Sequence, residues 1–266
     1  MMPLLPALNP RITDWRDKRV WIVGASSGIG AELARQLHAQ GARVALSARR
    51  RTTLEAVIDQ NASSAPALIL PMDAANPNDW REGMDTLSAR WGGVDMVVFA
   101  AATYHPCRPW ELTAADVRRT LEINLASVYY GLEVVVPPLL AQGSGAIALI
   151  GSVAGYMGLP KATLYGPTKA ALINLAELLY AELRHRGVGV YLINPGFVQT
   201  RLTAANDFYM PGLLTTQEAA RYIVKGFSKG QFEIHFPKRF SIALKLAGLA
   251  PYRARLAMLK NLAKNT

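Results

Sequence analysis

The 266-residue chain encodes a doubly wound α/β fold: a parallel sheet of about seven strands with helices on both faces. Three observations point to it. Short apolar runs alternate with longer amphipathic segments along nearly the whole chain. The short runs are rich in Val, Ile, Leu and Ala and lack polar alternation, as strands covered on both faces do. The connections leave room for crossover helices, and no linker, repeat or low-complexity stretch interrupts them. Residues 19–236 therefore read as one domain, residues 1–18 as an N-terminal extension, and residues 237–266 as a basic amphipathic helical tail.

Strands are predicted at Arg19–Val23, Arg43–Ala48, Ala67–Met72, Val94–Ala100, Ala146–Ile150, Val188–Asn194 and Phe232–Phe236. Helical patterns fill the gaps at Ile29–Gln40, Thr53–Gln60, Pro77–Trp91, Thr113–Val136, Leu164–Arg186 and Thr216–Lys229. Gly41, Gly93 and Gly187 stand between a helix and the next strand, where a left-handed residue closes a helix.

Composition narrows the functional classes. Hydrophobic residues make up 51% and charged residues 18%, a globular and not a disordered profile. The single Cys107 excludes an internal disulfide and any Cys-rich zinc site, and it suits a reducing compartment. The four histidines are scattered without ligand spacing, so no metal site is expected. The opening ten residues are apolar but hold three prolines and no early positive charge, unlike a signal peptide. No run approaches ~18 apolar residues without a charge or a breaker, so no bilayer span is expected, and the reading is a cytoplasmic protein.

Of the net charge of +10, +7 comes from the stretch after Ile234: Lys238, Arg239, Lys245, Arg253, Arg255, Lys260 and Lys264, with no acidic residue among them. A basic groove interleaved with stacking aromatics is missing from the main domain, which argues against nucleic acid. Phe240, Leu244 and Ala247 recur at helical spacing in the tail, as do Leu256, Leu259 and Ala263. Such a segment suits a membrane surface, a cover over the crevice, or a partner subunit.

The first predicted strand runs into Gly24-Ala25-Ser26-Ser27-Gly28-Ile29-Gly30, and a helix follows. Gly24 permits a tight turn, and Gly28 lets backbone approach a pyrophosphate at the positive end of the helix. Gly30 lets helix and strand pack closely. At the end of the second strand, where an acidic residue would grip the ribose of NAD, stands Ala48, followed by Arg49, Arg50 and Arg51. A guanidinium there binds a 2′-phosphate, so Arg49 favours NADP(H) over NAD(H), while Arg50 and Arg51 read as a solvated helix start.

Tyr165 and Lys169 are four apart, on one helical face. A free phenol titrates near ~10, and a neighbouring ammonium lowers that value towards use as an acid and base. Ser152 ends a predicted strand thirteen residues earlier, at the sheet end that faces the ligand crevice. It is no hydrolase nucleophile, since Gly151-Ser152-Val153-Ala154-Gly155 lacks the G-x-S-x-G spacing.

The glycine spacing G-x-x-x-G-x-G, followed by Ser152, Tyr165 and Lys169, resembles the short-chain dehydrogenase/reductase family, and Asn124 matches its fourth catalytic member. The resemblance runs from about Arg19 to Phe236 and takes in Asp73 and Pro195-Gly196-Phe197-Val198-Gln199-Thr200. It implies a Rossmann fold and a ketone–alcohol oxidoreductase that uses a nicotinamide cofactor. Tyr165 would exchange the proton, Lys169 would hold the ribose and lower the Tyr165 pKa, Ser152 would bind the substrate oxygen, and Asn124 would support a water reaching Lys169. Asp73 would contact adenine, and Val198 and Thr200 the carboxamide. Pro195, Gly196 and the loop residues Ser26, Ser27 and Ile29 would line the cofactor site. Where the family usually has Asn-Asn-Ala-Gly, this chain has Phe99-Ala100-Ala101-Ala102, so Ala100 and Ala101 face the cofactor without the usual Asn.

Val153, Tyr156, Met157, Leu159 and Phe197 are expected on the crevice wall, with Phe208, Tyr209 and Met210 on the next loop. They suit an apolar ketone or alcohol. The resemblance also implies a homodimer or homotetramer. Two rivals share these residues: a catalytically idle dinucleotide-binding regulatory or scaffolding protein, and a ketoreductase of lipids at a membrane surface.

Overall fold

The computed structural model describes residues 6–58 and 65–264. Residues 1–5 of the extension, residues 265–266 of the tail, and Asp59 and Gln60 of the second predicted helix lie outside the described residues.

Seven strands form one sheet: β1 (Arg19–Val23), β2 (Arg43–Ala48), β3 (Ala67–Pro71), β4 (Met96–Phe99), β5 (Gly145–Ile150), β6 (Val188–Pro195) and β7 (Glu233–Phe236). Their order is β3-β2-β1-β4-β5-β6-β7, parallel throughout. The order reverses between β1 and β4, and a crevice outside the strand C-termini is expected at that switch. The first three helices are α1 (Gly28–Ala39), α2 (Arg51–Ile58) and α3 (Pro77–Trp91). They are followed by α4 (Ala114–Leu121), α5 (Ser127–Gln142), α6 (Tyr165–Leu183) and α7 (Thr216–Ser228). The tail forms α8 (Lys238–Leu249) and α9 (Tyr252–Lys264).

Both sheet faces are covered, which explains the unbroken apolar runs. On β1, Val20 and Ile22 enter one core with Leu33, Leu37, Ile223 and Phe227. Trp21 and Val23 enter the other with Trp80, Leu87, Val135 and Leu172. Trp21 meets Trp80 edge-on at 5.2 Å, and Trp80 stacks on Phe99 at 5.3 Å. The buried Trp21 indole donates to Ser47 Oγ at 2.8 Å. Ser47→Ala leaves that N–H without its partner in a dry core, and the expected loss is about 1–3 kcal/mol, read by chemical denaturation.

The largest departure from the sequence reading is in the fourth predicted helix. The segment predicted as one helix over Thr113–Val136 is α4, a single π turn at Glu122–Ala126, and α5, which continues through Pro137 and Pro138 to Gln142. Both prolines are exposed, while buried Leu139 ties the last turn to the core. The continuous helix Ala114–Gln142 has the length and apolarity of a membrane span. Its Val128, Leu132, Val135 and Leu139 are instead core residues against the sheet. The α3 bounds are those expected, but left-handed Gly92 closes the helix, one residue before the glycine expected there.

The N-terminal segment is built into the domain. Trp15 is buried against Phe227 at 5.7 Å. Asn9 spans both polar groups of Val190: its Oδ1 accepts from the Val190 N–H at 2.9 Å, and its Nδ2 donates to the Val190 carbonyl.

Candidate active site

A crevice of about 820 Å³ crosses the C-terminal ends of the strands, within the usual size of a ligand site. One half is built by the turn between β1 and α1. Gly24 has φ +96°, and a Cβ on it would lie 2.4 Å from the Ala101 nitrogen. A Cβ on Gly30 would lie 2.4 Å from the Gly24 carbonyl oxygen. Only bare backbone fits either place. Ser27 caps α1 without a side-chain hydrogen bond, and Ser26, Ser27, Gly28, Ile29 and Gly30 line the crevice. First-turn amides at a helix N-terminus suit an anionic diphosphate, so this cradle fits a dinucleotide.

Arg49 and Arg50 follow β2 on the same crevice, both exposed, and among the described residues neither pairs with a carboxylate. Arg50 is therefore a crevice residue, not merely a solvated helix start. Arg51 fits that description, pairing with Glu55 at 3.6 Å. Asp73 lines the rim after β3, its Oδ1 accepting from the Ala75 N–H at 3.1 Å. Ala100 and Ala101 line the wall after β4, and Pro195, Gly196, Val198 and Thr200 the wall after β6.

The other half holds the expected catalytic set. Ser152 follows β5 directly, with Oγ accepting from the Ala154 N–H at 3.1 Å. Tyr165 opens α6, and Lys169 lies one turn later with Nζ 5.4 Å from the Tyr165 ring centre. All three line the crevice. The wholly buried Lys169 ammonium donates to the Ile150 carbonyl at 2.8 Å. Burial pushes its pKa down to about 8. Burial also pushes the Tyr165 phenol up to about 12, and the neighbouring Ser152 hydroxyl pulls the other way. The sequence reading had Lys169 lowering the phenol. In this structure desolvation is the larger influence on Tyr165, and the phenol stays protonated at neutral pH.

Asn124 sits in the π turn, 1% exposed, and its side chain is engaged with backbone. Its Oδ1 accepts from the Thr103 N–H at 2.7 Å, and its Nδ2 donates to the Thr103 carbonyl at 2.9 Å. It thereby pins the loop after β4, just beyond the alanines that replace the usual Asn.

Val153 and Phe197 are on the crevice wall as expected, with Leu159, Phe208 and Tyr209. Tyr156 is not among the lining residues, and its hydroxyl is engaged elsewhere. It donates to Glu233 Oε1 at 2.5 Å. Glu233 also accepts from Asn194 Nδ2 at 2.8 Å and from Lys245 Nζ. Burial opposes the Glu233 charge, but these donors together hold its pKa below the usual range. Met157 is buried and Cys107 is buried, both away from the lining.

Two features escaped the sequence reading. Tyr104 packs edge-on against Tyr165 at 4.9 Å and donates to Asn206 Oδ1 at 2.8 Å. An aromatic shortly after β4 could have been marked by its place at a strand C-terminus. Phe240, Leu244 and Leu262 of the tail complete the crevice wall, which the spacing of the tail residues left open among three roles.

The family model for short chain dehydrogenases matches residues 18–208. An uncharacterized oxidoreductase of Myxococcus xanthus is 34% identical over 236 residues, covering 86% of this chain and 91% of that protein. A short chain dehydrogenase/reductase from Burkholderia phymatum, solved in complex with NAD, superposes with a TM-score of 0.80 at 23% identity. That match covers 89% of this chain and 94% of the other. A short-chain dehydrogenase from Sphingobium yanoikuyae, in complex with NADPH, gives 0.77 at 25% identity over 86% and 93% of the two chains.

Proposed function

The chain belongs to the short-chain dehydrogenase/reductase family and is an oxidoreductase, and from that premise we propose that it interconverts an apolar ketone and its secondary alcohol with NADP(H). The observation that carries this reading is the meeting of Ser152, Tyr165 and Lys169 on one crevice with the glycine turn. A pure binder has no need of a buried phenol beside a buried ammonium.

When bound, the nicotinamide supplies or takes up the hydride. The chain's own residues do the rest. Ser152 Oγ holds the substrate oxygen, and the protonated Tyr165 hydroxyl delivers its proton to that oxygen during reduction. Lys169 holds the cofactor ribose and offers a charge that stabilises the phenolate left behind. Asn124 fixes the Thr103 loop that forms the crevice floor beside them, with any water at Asn124 an added role. Tyr104, Phe208 and Tyr209 offer the substrate an apolar wall. The exposed Leu121, Tyr129 and Leu178 on α4, α5 and α6 support self-association through these helices, which light scattering would read.

NADP(H) preference rests on Arg49, with Arg50 beside it. Arg49→Glu is expected to lower the NADPH/NADH ratio of kcat/KM by roughly tenfold to a hundredfold, the worth of a charge-assisted hydrogen bond to phosphate. Steady-state kinetics with both cofactors check it.

The experiment that tests the function follows NADPH oxidation over ketones graded from small and polar to large and apolar. Turnover concentrated on the apolar members is the expected result. Silence across the panel with NADPH still bound would favour the idle, regulatory reading.

A further inference from the structure

The outer face of the tail is apolar and basic together. On α8, Ile242, Leu246 and Leu249 are all exposed, Leu246 at 63% and Leu249 at 82%. Their spacing puts them on one side of the helix. Beyond Pro251, Tyr252 and Leu256 on α9 are exposed as well. Isolated exposed leucines are ordinary, but five large apolar residues exposed on two successive helices are the mark of a surface that meets something.

Charge selects the partner. Lys238, Arg239, Arg253, Lys260 and Lys264 are exposed on the same two helices, and among the described residues none of them pairs with a carboxylate. Neither helix carries an acidic residue. Two copies meeting through this face would set cations against cations. An anionic surface would neutralise them while the leucines leave water.

We propose that α8 and α9 dock the protein on an anionic lipid surface, with Ile242, Leu246, Leu249, Tyr252 and Leu256 entering the interface. The docked helices are also the crevice wall, since Phe240, Leu244 and Leu262 line it. Substrate therefore reaches the crevice from the bilayer and is a lipid-soluble ketone or alcohol. That second half rests on the apolar-substrate reading above, whereas docking itself does not.

Flotation of the full chain with vesicles tests docking without substrate or cofactor. Recovery with phosphatidylcholine–phosphatidylglycerol vesicles, little with phosphatidylcholine alone, and release by salt are expected. Leu246→Gln with Leu249→Gln lowers partition by about tenfold. Arg253→Gln and Lys260→Gln lower it by about fivefold each. A melting temperature close to the parent's shows that these exposed changes leave the fold intact. No recovery with anionic vesicles, or equal recovery with neutral ones, overturns the proposal. So does a leucine double variant that splits an oligomer yet still binds vesicles, since the face would then belong to a second copy. If docking holds while the ketone panel stays silent, the functional reading fails and the docking surface stands.

Discussion

Tyr165→Phe is expected to lower turnover by roughly a hundredfold to ten-thousandfold, the span of a lost general acid, while NADPH binding is kept. Burial raises the Tyr165 phenol to about 12, so at neutral pH it carries the proton that reduction needs. Phe retains the ring that packs edge-on against Tyr104, so the wall of the site is preserved. Ser152 remains to bind the substrate oxygen, which makes the loss one of kcat more than of KM. Single-turnover kinetics and a fluorescence titration with NADPH separate the two. Full activity in the variant would remove Tyr165 from the chemistry.

Lys169→Met should abolish most activity and yet make the cofactor-free protein more stable. Activity falls because the ammonium that stabilises the phenolate and holds the ribose is gone. Stability rises because the native state holds a desolvated charge. A fall from 10.5 to about 8 corresponds to an order of 3 kcal/mol at neutral pH. The bond from Nζ to Ile150 returns about 1 kcal/mol of that, so the gain is about 1–2 kcal/mol, or a few degrees in Tm. Between pH 8 and 10.5 the unfolded chain binds the Lys169 proton and the native one releases it, so this group's penalty is full below 8 and vanishes as pH rises. The advantage of Met over the parent should therefore shrink from pH 7 to 9.5. Above 10 the raised phenols of Tyr165 and Tyr104 act in the opposite direction, destabilising the native state as pH climbs. A constant difference in Tm across that range would show that Lys169 carries no burial penalty.

Much of this was legible in the sequence because local pattern and global environment agree. Strands β1, β4, β5 and β6 show unbroken apolar runs since both faces are buried, and their ends were read to within a residue or two. Gly24 and Gly30 announced a close approach that the backbone then makes. The misreadings have physical causes. A proline signals a helix end in sequence, but α5 runs on through exposed Pro137 and Pro138 because buried Leu139 packs its last turn on the core. The π turn around Asn124 changes the helical phase by one residue, which no periodicity over so short a span displays. Tyr156 is near Ser152 in sequence, but the rotation of a short turn decides which face a side chain takes, and Glu233 claims it from another strand. Arg50 looked interchangeable with Arg51 because consecutive charges at a helix start carry no record of the crevice beside them.

The Asn9 side chain matters beyond its two bonds. β7 pairs with β6 only from Leu192 onward, so the earlier half of β6, paired with β5 on one side, has no strand on the other. The Asn9 amide stands in for a peptide there, occupying the donor and acceptor of Val190 as a neighbouring strand would. Residues ahead of Arg19 thus act as an edge guard. Cutting the chain back to the sheet's first residue would uncover a short template for β-addition, and the trimmed protein would be prone to pair with its own copies and aggregate.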